Sequence, residues 1–444
     1  PGVGKSAVLG RIVTTADPDI RTLLPSADEA VQASLGSVSC AVHAKGKTAL
    51  EVAGEIARAA SAALPGEPAD LAPAIRETLS RRGGARFNVI IDALDEAVSA
   101  GDVRAIIDSV VLPLAETCSV AGAQVVVGTR RRDDGGDLLG RFGAALERVD
   151  LDDPGFFAEE DLAAYALACL QLAGDGRPGN PYSDEAAAGP LAARIAAMSG
   201  QNFLIAGLIG RSHGLHDEQA ATAGQLEPAA TVDSALAAYL ERVRPVARLP
   251  AAHVLTALAF AEAPGLSAAL WRLAAEAIYG MQLSSADLTR FARSSAANFL
   301  VESAADVPAE ADGGDAGPVY RLFHQALNDA LLHARADITR QENDERALAQ
   351  AFIKHGRLSG WHKADRYLLR SLPGHAQAAG LIDDLLTDDA YLLHADLRRL
   401  IPAAERSAST EGRRRARLLQ LTPQAINARP VERAALFSVT EVLD

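Results

Sequence analysis

Cysteine, methionine and aromatic residues are scarce in this sequence, and long apolar runs do not occur in it. The 444 residues include 3 Cys, 2 Met and 2 Trp, and aromatic side chains make up 5% of the total. Cys40, Cys118 and Cys169 are far apart in apolar surroundings. This spacing excludes a disulfide framework or a cysteine zinc site and predicts buried thiols in a reducing compartment. No uncharged apolar run approaches the ~20 residues that cross a bilayer, which excludes membrane insertion.

Basic residues are outnumbered by acidic ones. The 43 Lys and Arg against 57 Asp and Glu give a formal net charge of −14. Because affinity for phosphate backbones requires clustered Lys and Arg, this balance argues against a broad nucleic-acid or anionic-membrane surface. Hydrophobic residues at 49% and charged residues at 23% are ordinary for a folded protein and exclude wholesale disorder. At roughly 150 residues per domain, the length predicts about three domains, with cores packed mainly by aliphatic side chains.

The first residues, PGVGKS, match the end of the phosphate-binding pattern GxxxxGK[ST]. The first glycine of that pattern falls before Pro1, so we expect a strand and a loop glycine to precede this sequence. Lys5 would reach the β- and γ-phosphates, and the Ser6 hydroxyl would bind Mg²⁺. A helix predicted over residues 7–13 would direct its N-terminal dipole at the anion. The alternative is a chance glycine-rich turn. The candidate nucleotide-binding residues here are Gly2, Val3, Gly4, Lys5, Ser6 and Ala7.

A second candidate segment is the short apolar run at residues 87–92, which predicts a buried parallel strand. It ends in Asp92, and a carboxylate at this end of a parallel strand can bind Mg²⁺. Asp95 and Glu96 follow directly and could polarise an attacking water as catalytic residues. The sequence does not choose between these two acids. The alternative role for Asp92 is a helix cap or a solvated turn.

A third apolar run, residues 124–128, leads into Arg130. A basic side chain at this strand end can sense the γ-phosphate, so Arg130 is a further catalytic candidate. Another apolar segment, residues 37–42, precedes a helix predicted over residues 48–63. Alternating strands and helices over residues 1–150 predict a doubly wound α/β domain whose first strand is missing from this sequence.

Together, the segments PGVGKS, IIDALDEA and VVVGTR resemble those of the STAND class of P-loop ATPases, close to its NACHT-type members. In that family the metal-binding Asp is followed by a small residue, an apolar residue and then Asp-Glu. Asp92, Ala93, Leu94, Asp95 and Glu96 fit this order. Ordinary AAA+ motors instead place Glu directly after the metal-binding Asp. The resemblance implies a switch that binds ATP or ADP with Mg²⁺.

Two further domains follow in the prediction. Residues 151–230 form a small helical lid domain, where residues 200–204 (GQNFL) are similar to a segment of the STAND lid. In residues 231–335, helices followed by strands at 298–302 and 319–323 predict a winged helix. Because a DNA-binding wing should be basic and this one is acidic, we predict a switch module rather than a DNA reader. The acidic residues of the wing are Glu302, Asp306, Glu310, Asp312 and Asp315.

His324 comes directly after the second of these strands. In STAND proteins a histidine at this place contacts the β-phosphate of ADP, and the resemblance implies that role for His324. The alternative is a helix-capping or core-edge histidine. Residues 336–444 are predicted to be helical without a catalytic constellation. The resemblance also implies an N-terminal effector domain and C-terminal sensor repeats in the full-length protein.

These features predict a cytoplasmic, nucleotide-dependent switch of a signalling or defence protein. ADP would hold the winged helix closed, exchange for ATP with Mg²⁺ would release it for self-association, and slow ATP hydrolysis would reset it. One alternative is a DNA-associated AAA+ ATPase with a winged helix, of the origin-recognition or transcription-regulator kind. Another is a degenerate scaffold that binds ADP without hydrolysis.

Overall fold

A computed structural model divides the chain into two compact units, Pro1–Ala230 and Thr231–Asp444. The structure describes residues 2–24, 32–82, 86–133, 135–174, 176–226, 229–303 and 317–443. The first unit contains a small parallel sheet with helices around it, and the second is mainly helical. The chain is therefore a mixed α/β protein that becomes helical toward its C-terminus, as the sequence predicts at this level.

The sheet of the first unit has three parallel strands in the order β1-β2-β3. They are β1 (Cys40–His43), β2 (Phe87–Asp92) and β3 (Ala123–Val127). The register places His43 opposite Asp92 and Ile91 opposite Val127. Since all strands run the same way, the polar residues that follow them are collected at one edge of the sheet.

Helices pack around this sheet through aliphatic side chains. The helices of this part are α1 (Lys5–Ala16), α2 (Pro18–Arg21), α3 (Ala49–Ala59), α4 (Leu71–Arg81), α5 (Ala100–Ile106) and α6 (Leu112–Thr117), and β4 (Arg132–Asp133) pairs with β5 (Gly136–Asp137). Thr48 begins α3 with a capping box that includes Glu51, which satisfies backbone groups at the helix start. Val52, Ile75 and Ile106 are fully buried in the shared core. The expected aliphatic packing is confirmed in this core.

Three longer helices complete the first unit: α7 (Glu159–Gln171), α8 (Glu185–Met198) and α9 (Phe203–His216). Asp184 caps α8, and Asn202 caps α9 by accepting hydrogen bonds from the N–H groups of Leu204 and Ile205. Short polar side chains are good N-caps because they replace the missing intrahelical partners of the first turn. The capping role of Asn202 fixes where α9 begins.

The second unit begins with four helices and a three-stranded antiparallel sheet. They are α10 (Val232–Glu241), α11 (Ala251–Ala259), α12 (Ala268–Tyr279) and α13 (Ser285–Ala292), with β6 (Leu266–Ser267), β7 (Leu300–Ser303) and β8 (Val319–Leu322) in the order β6-β8-β7. The sequence predicts only β7 and β8, because a strand as short as β6 has no periodic pattern. The fully buried Trp271 donates its indole N–H to the carbonyl oxygen of Val254. The predicted wing residues Asp306, Glu310, Asp312 and Asp315 lie outside the described residues.

The remainder is helical, as predicted for residues 336–444. Its helices are α14 (Gln325–Ala336), α15 (Gln341–Ser359), α16 (Arg366–Ala378), α17 (Ile382–Leu386), α18 (Asp389–His394), α19 (Leu397–Ala404), α20 (Thr410–Leu421) and α21 (Pro430–Leu443). The guanidinium of Arg433 is buried among main-chain carbonyl groups of this region. It donates to the carbonyl oxygens of Leu392, Leu393, Ala395 and Ala425.

The three cysteines are free and buried, which confirms the predicted buried thiols. Among the helices that the structure describes, we find none with both the length and the apolar character needed to span a bilayer.

Candidate functional site

The N-terminus of α1 presents backbone N–H groups that no described side chain caps. Gly4 is the N-cap residue and has a φ of 93° and a ψ of 8°, a left-handed conformation that favours glycine. Among the described residues other than its two chain neighbours, none has a heavy atom within 4 Å of the position that a Cβ on Gly4 would occupy. The first turn of α1 also carries no acidic side chain. The N–H groups and positive dipole end of α1 are therefore accessible to an anion, with Lys5 and Ser6 in the same turn.

Asp92, the last residue of β2, lies against this helix start. The side chains of Ser6 and His43 lie beside its carboxylate, and Nδ1 of His43 lies 3.4 Å from its Oδ2. Burial by itself raises the pKa of the Asp92 carboxyl, but the neighbouring side chains of His43 and Ser6 lower it and the net direction is downward. The fold thus brings together the two predicted metal ligands, Ser6 and Asp92, with the carboxylate in its ionised form.

Gly128 makes the approach between α1 and β2 possible. A Cβ on Gly128 would lie 2.6 Å from Leu9 Cδ1 and 2.8 Å from Asp92 Oδ1, so any larger residue would displace these two side chains. Its N–H donates to the carbonyl oxygen of Ile91, and its own carbonyl accepts from Leu94. Gly128 therefore locks the end of β3 beside the end of β2.

The two acids after Asp92 have different surroundings. Asp95 Oδ1 accepts a hydrogen bond from the backbone N–H of Arg130 at 3.0 Å, and Asp95 Oδ2 lies 3.0 Å from Arg130 Nε. The Asp95 side chain is only 6% exposed. Arg130 thus contacts both oxygens of Asp95. These contacts hold Arg130, the candidate for sensing the γ-phosphate, against the loop after β2.

Glu96 instead faces the loop that follows β1. Its Oε2 lies 3.5 Å from Nζ of Lys45, and the two side chains are 14% and 10% exposed. Burial is the largest influence on the Glu96 carboxyl and raises its pKa, and the net direction is upward. Of the charged neighbours, Lys45, Arg130 and His43 lower this pKa and Asp95 raises it. A carboxyl with a raised pKa is better matched to accepting a proton near neutral pH than an ordinary one.

The start of α9 packs on the loop before α1. The carbonyl oxygen of Gly2 accepts a hydrogen bond from the N–H of Phe203 at 2.9 Å. Gly2 has a φ of +86°, and a Cβ there would lie 2.1 Å from Asn202 Oδ1. The GQNFL segment therefore contacts the phosphate-loop candidate directly, a contact that the sequence pattern by itself does not reveal.

His324 belongs to the second unit, where it is the N-cap residue of α14. Its Nδ1 accepts a hydrogen bond from the N–H of Ala326 at 3.0 Å. This geometry is that of the helix-capping alternative. The contact to a β-phosphate stays a prediction.

Sequence reasoning missed His43, Lys45 and Gly128 as parts of this site. Their positions at or just after the ends of β1 and β3 could have indicated them, since polar residues that follow neighbouring parallel strands meet at one sheet edge. Within the described ranges, we find no cluster of three His, Cys, Asp or Glu side chains that could hold a metal by themselves. A metal here would take its other ligands from a bound molecule or water.

No protein-family model matches this chain, and no curated protein sequence matches it.

Proposed function

We propose that the first unit binds ATP or ADP together with Mg²⁺ and that the protein is a nucleotide-dependent switch of the STAND class. One observation carries this proposal: the Ser6 hydroxyl at the start of α1 lies beside the Asp92 carboxylate at the end of β2 and lowers the pKa of that carboxyl. A glycine-rich turn formed by chance has no reason to meet a strand-end carboxylate. The fold class expected of such a unit is a P-loop domain, and the parallel β1-β2-β3 order supports it.

The chemistry of the donor set fits Mg²⁺. This cation prefers oxygen ligands, keeps several waters and is held by one or two protein groups together with substrate phosphates. Ser6 and Asp92 supply a hydroxyl and an ionised carboxylate, and few further protein ligands are needed. When bound, Mg²⁺ neutralises charge on the β- and γ-phosphates.

The residues before and in the first turn of α1 have distinct parts in phosphate binding. The left-handed Gly2 and Gly4 turn the backbone so that N–H groups, including those of Val3 and Ala7, can surround phosphate oxygens. Lys5 adds a charge-assisted hydrogen bond to the β- and γ-phosphates. His43 stabilises the ionised form of Asp92.

For hydrolysis we assign the general base to Glu96 rather than Asp95. Asp95 holds Arg130 with both oxygens, whereas Glu96 has a raised pKa and lies 3.5 Å from the ammonium group of Lys45. A water oxygen attacks the γ-phosphorus, Glu96 accepts one proton from that water, and the bond to the bridging oxygen of ADP breaks. Arg130 stabilises charge on the γ-phosphate oxygens.

The second unit would respond to the nucleotide. Helices α11 to α13 with the β6-β8-β7 sheet support a winged helix, which the ADP-bound state would hold closed through His324. Moving a closed-to-open ratio from about 99:1 to about 1:99 needs about 5.5 kcal/mol of differential binding. Hydrogen bonds to charged groups contribute roughly 1.5–3 kcal/mol each, so a few contacts to one phosphate suffice. The open state would self-associate.

The binding step is tested by calorimetry of ADP and ATP with the full-length protein in Mg²⁺. Loss of the Lys5 charge in Lys5→Ala should weaken binding at least about tenfold, since one charge-assisted hydrogen bond is worth about that much. Lys47→Ala is the matched control, because Lys47 pairs with Glu55 at 2.6 Å and lies outside the proposed contacts. Equal affinity of wild type and Lys5→Ala would overturn the proposal. Asp92→Asn should abolish the Mg²⁺ dependence of affinity.

The switch step is tested by the rate of ADP release. His324→Asn keeps a good helix cap while it removes the imidazole, whereas His324→Ala removes both. We expect both variants to release ADP faster than wild type. The control is His333→Asn on the same helix, which should behave like wild type because the His333 side chain is 73% exposed. If only His324→Ala differs from wild type, His324 is a helix cap and the phosphate role is wrong.

A DNA-associated ATPase remains the second candidate, because the helices and antiparallel sheet of the second unit are also compatible with a DNA-binding winged helix. Helix α13 would then be the recognition element. Its Arg290 is paired with Asp287 at 2.7 Å, which leaves little net charge for phosphates. Tight, salt-sensitive binding to duplex DNA in a filter assay would favour this candidate over the switch.

A further inference from the structure

The loop after β1 is hydrogen-bonded along the loop after β2. The N–H of Ala44 donates to the carbonyl oxygen of Asp92, and the N–H of Gly46 donates to that of Glu96, each at 2.8 Å. Between these two anchors is Lys45. The backbone on both sides of its side chain is therefore fixed relative to Asp92 and Glu96.

Lys45 and its neighbour Lys47 differ in where their charges lie. The Lys45 side chain is 10% exposed and its Nζ lies 3.5 Å from Glu96 Oε2. Lys47 is 24% exposed and its Nζ lies 2.6 Å from Glu55 Oε2, on α3. Burying an ammonium group costs free energy unless an opposite charge compensates for it. Lys47 forms its ion pair with Glu55 at a more exposed position, whereas Lys45 is directed inward at Glu96. We infer a functional reason for the inward position of Lys45.

We propose that Lys45 is a positioning residue that keeps Glu96 ionised and oriented for ATP hydrolysis. This inference rests on the proposed function, in which Glu96 is the general base. Lys45 itself touches neither nucleotide nor water in this mechanism and acts through the Glu96 carboxylate.

The electrostatics of the Glu96 carboxyl support this role. Burial has the largest influence on this carboxyl and raises its pKa. The charged groups that face it are Lys45, Asp95, Arg130 and His43. Among these groups, Lys45 has the largest lowering influence. Without the Lys45 charge, burial and Asp95 would raise the pKa further, and more of the carboxyl would be protonated at neutral pH. A protonated carboxyl cannot accept the proton of the attacking water.

The test compares Lys45→Met, Lys45→Arg and Lys47→Met with wild type in the full-length protein, by ATP affinity and by kcat as a function of pH. We expect the affinity of Lys45→Met for ATP to be within about threefold of wild type. Its kcat at pH 7 should fall about tenfold, and the acid limb of its kcat–pH profile should shift upward by about one pH unit. Lys45→Arg should restore most of kcat, because it keeps the charge. Lys47→Met should hydrolyse ATP like wild type.

Other results would overturn the inference. An unshifted acid limb in Lys45→Met, or equal loss of kcat in both methionine variants, would make Lys45 merely structural. The double variant Lys45→Met/Glu96→Gln should be no slower than Glu96→Gln alone, and an additive loss would contradict action through Glu96. Wild type that binds no nucleotide refutes the proposed function itself. Wild type that binds ATP without hydrolysing it refutes only the base and its positioning residue.

Discussion

Asp95 accepts a hydrogen bond from the backbone N–H of Arg130 at 3.0 Å, and its other carboxylate oxygen lies 3.0 Å from Arg130 Nε. The two residues follow adjacent parallel strands, β2 and β3, and the pair ties the loops after these strands together. This pair separates the two acids that the sequence leaves equivalent. In the proposed mechanism, Asp95 positions Arg130 and Glu96 is the general base.

Loss of the Arg130 side chain should loosen these strand ends. In Arg130→Met, the nearly buried carboxylate of Asp95 keeps its hydrogen bond from the backbone N–H of residue 130 but loses its contact with Nε. This loss should lower the free energy of unfolding by about 1–3 kcal/mol. Hydrogen exchange at the amides of β2 and β3 would measure this loss. Arg131→Met is the control, because the Arg131 side chain is 55% exposed and pairs with Asp150 at the surface. Equal exchange in the two variants would contradict the role of the Asp95–Arg130 pair.

Substitution of Gly2 and Gly4 should have unequal effects, although both glycines have a left-handed backbone. Alanine costs about 1 kcal/mol at either position because of its positive φ. Gly2→Ala also displaces the side chain of Asn202, whereas Gly4→Ala meets open space. We expect faster hydrogen exchange at the N–H groups of Leu204 and Ile205, which Asn202 caps, in Gly2→Ala only. The same exchange in both variants would show that α9 does not depend on this contact.

A buried histidine in the second unit should make its stability depend on pH. His375 lies 2.8 Å from Glu345 Oε2 and 2.7 Å from the Tyr367 hydroxyl. Burial lowers the pKa of His375, but Glu345 and, more weakly, Glu262 raise it, and the net direction is upward. Because the folded pKa exceeds the unfolded value of about 6.5, the stabilisation is complete below that pH. It is lost as pH rises through the folded pKa.

The measurement is the thermal midpoint of wild type and Glu345→Gln across this pH range, with an NMR titration of the His375 ring. In Glu345→Gln the loss of stability with rising pH should disappear, since burial then dominates and lowers the pKa of His375. His333→Gln is the control, because its ring is mostly exposed. A ring that titrates at or below the ordinary value in wild type would make this prediction wrong.

Arg433 should be among the most sensitive positions of the C-terminal helices. Its guanidinium donates to several main-chain carbonyl oxygens at the C-terminal end of α18 and to one in the segment before α21. Burial lowers the pKa of this group, and Asp396 raises it. Arg433→Met removes all these donors and should destabilise the region by about 2–4 kcal/mol, measured by hydrogen exchange in α18 and α21. Arg429→Met should change little, because the Arg429 side chain is 85% exposed.

Local patterns predicted the elements of the site well. An apolar run that ends in a carboxylate predicts a buried strand, and β2 ends at Asp92 as expected. The predicted helix after the glycine turn is present, although α1 begins at Lys5 rather than Ala7 and continues to Ala16. The predicted strand at residues 298–302 is correct only from Leu300, because a 3₁₀ turn, Ser295–Phe299, precedes it. Such boundaries depend on hydrogen bonds that residue types do not fix.

By itself, the sequence determined which side chains are candidates for the proposed phosphate and metal binding: Lys5 and Ser6 after a glycine turn, and Asp92 after a buried strand. These are local signals, since residue type and neighbouring residues decide them. Only the tertiary structure decided the pairs, namely Ser6 with Asp92, Arg130 with Asp95, and Lys45 with Glu96. These partners are distant in the chain, and the parallel order β1-β2-β3 brings their strand ends to one edge. Distances and burial at that edge shift the pKa values of the Asp92 and Glu96 carboxyls, and no pattern along the chain contains these distances.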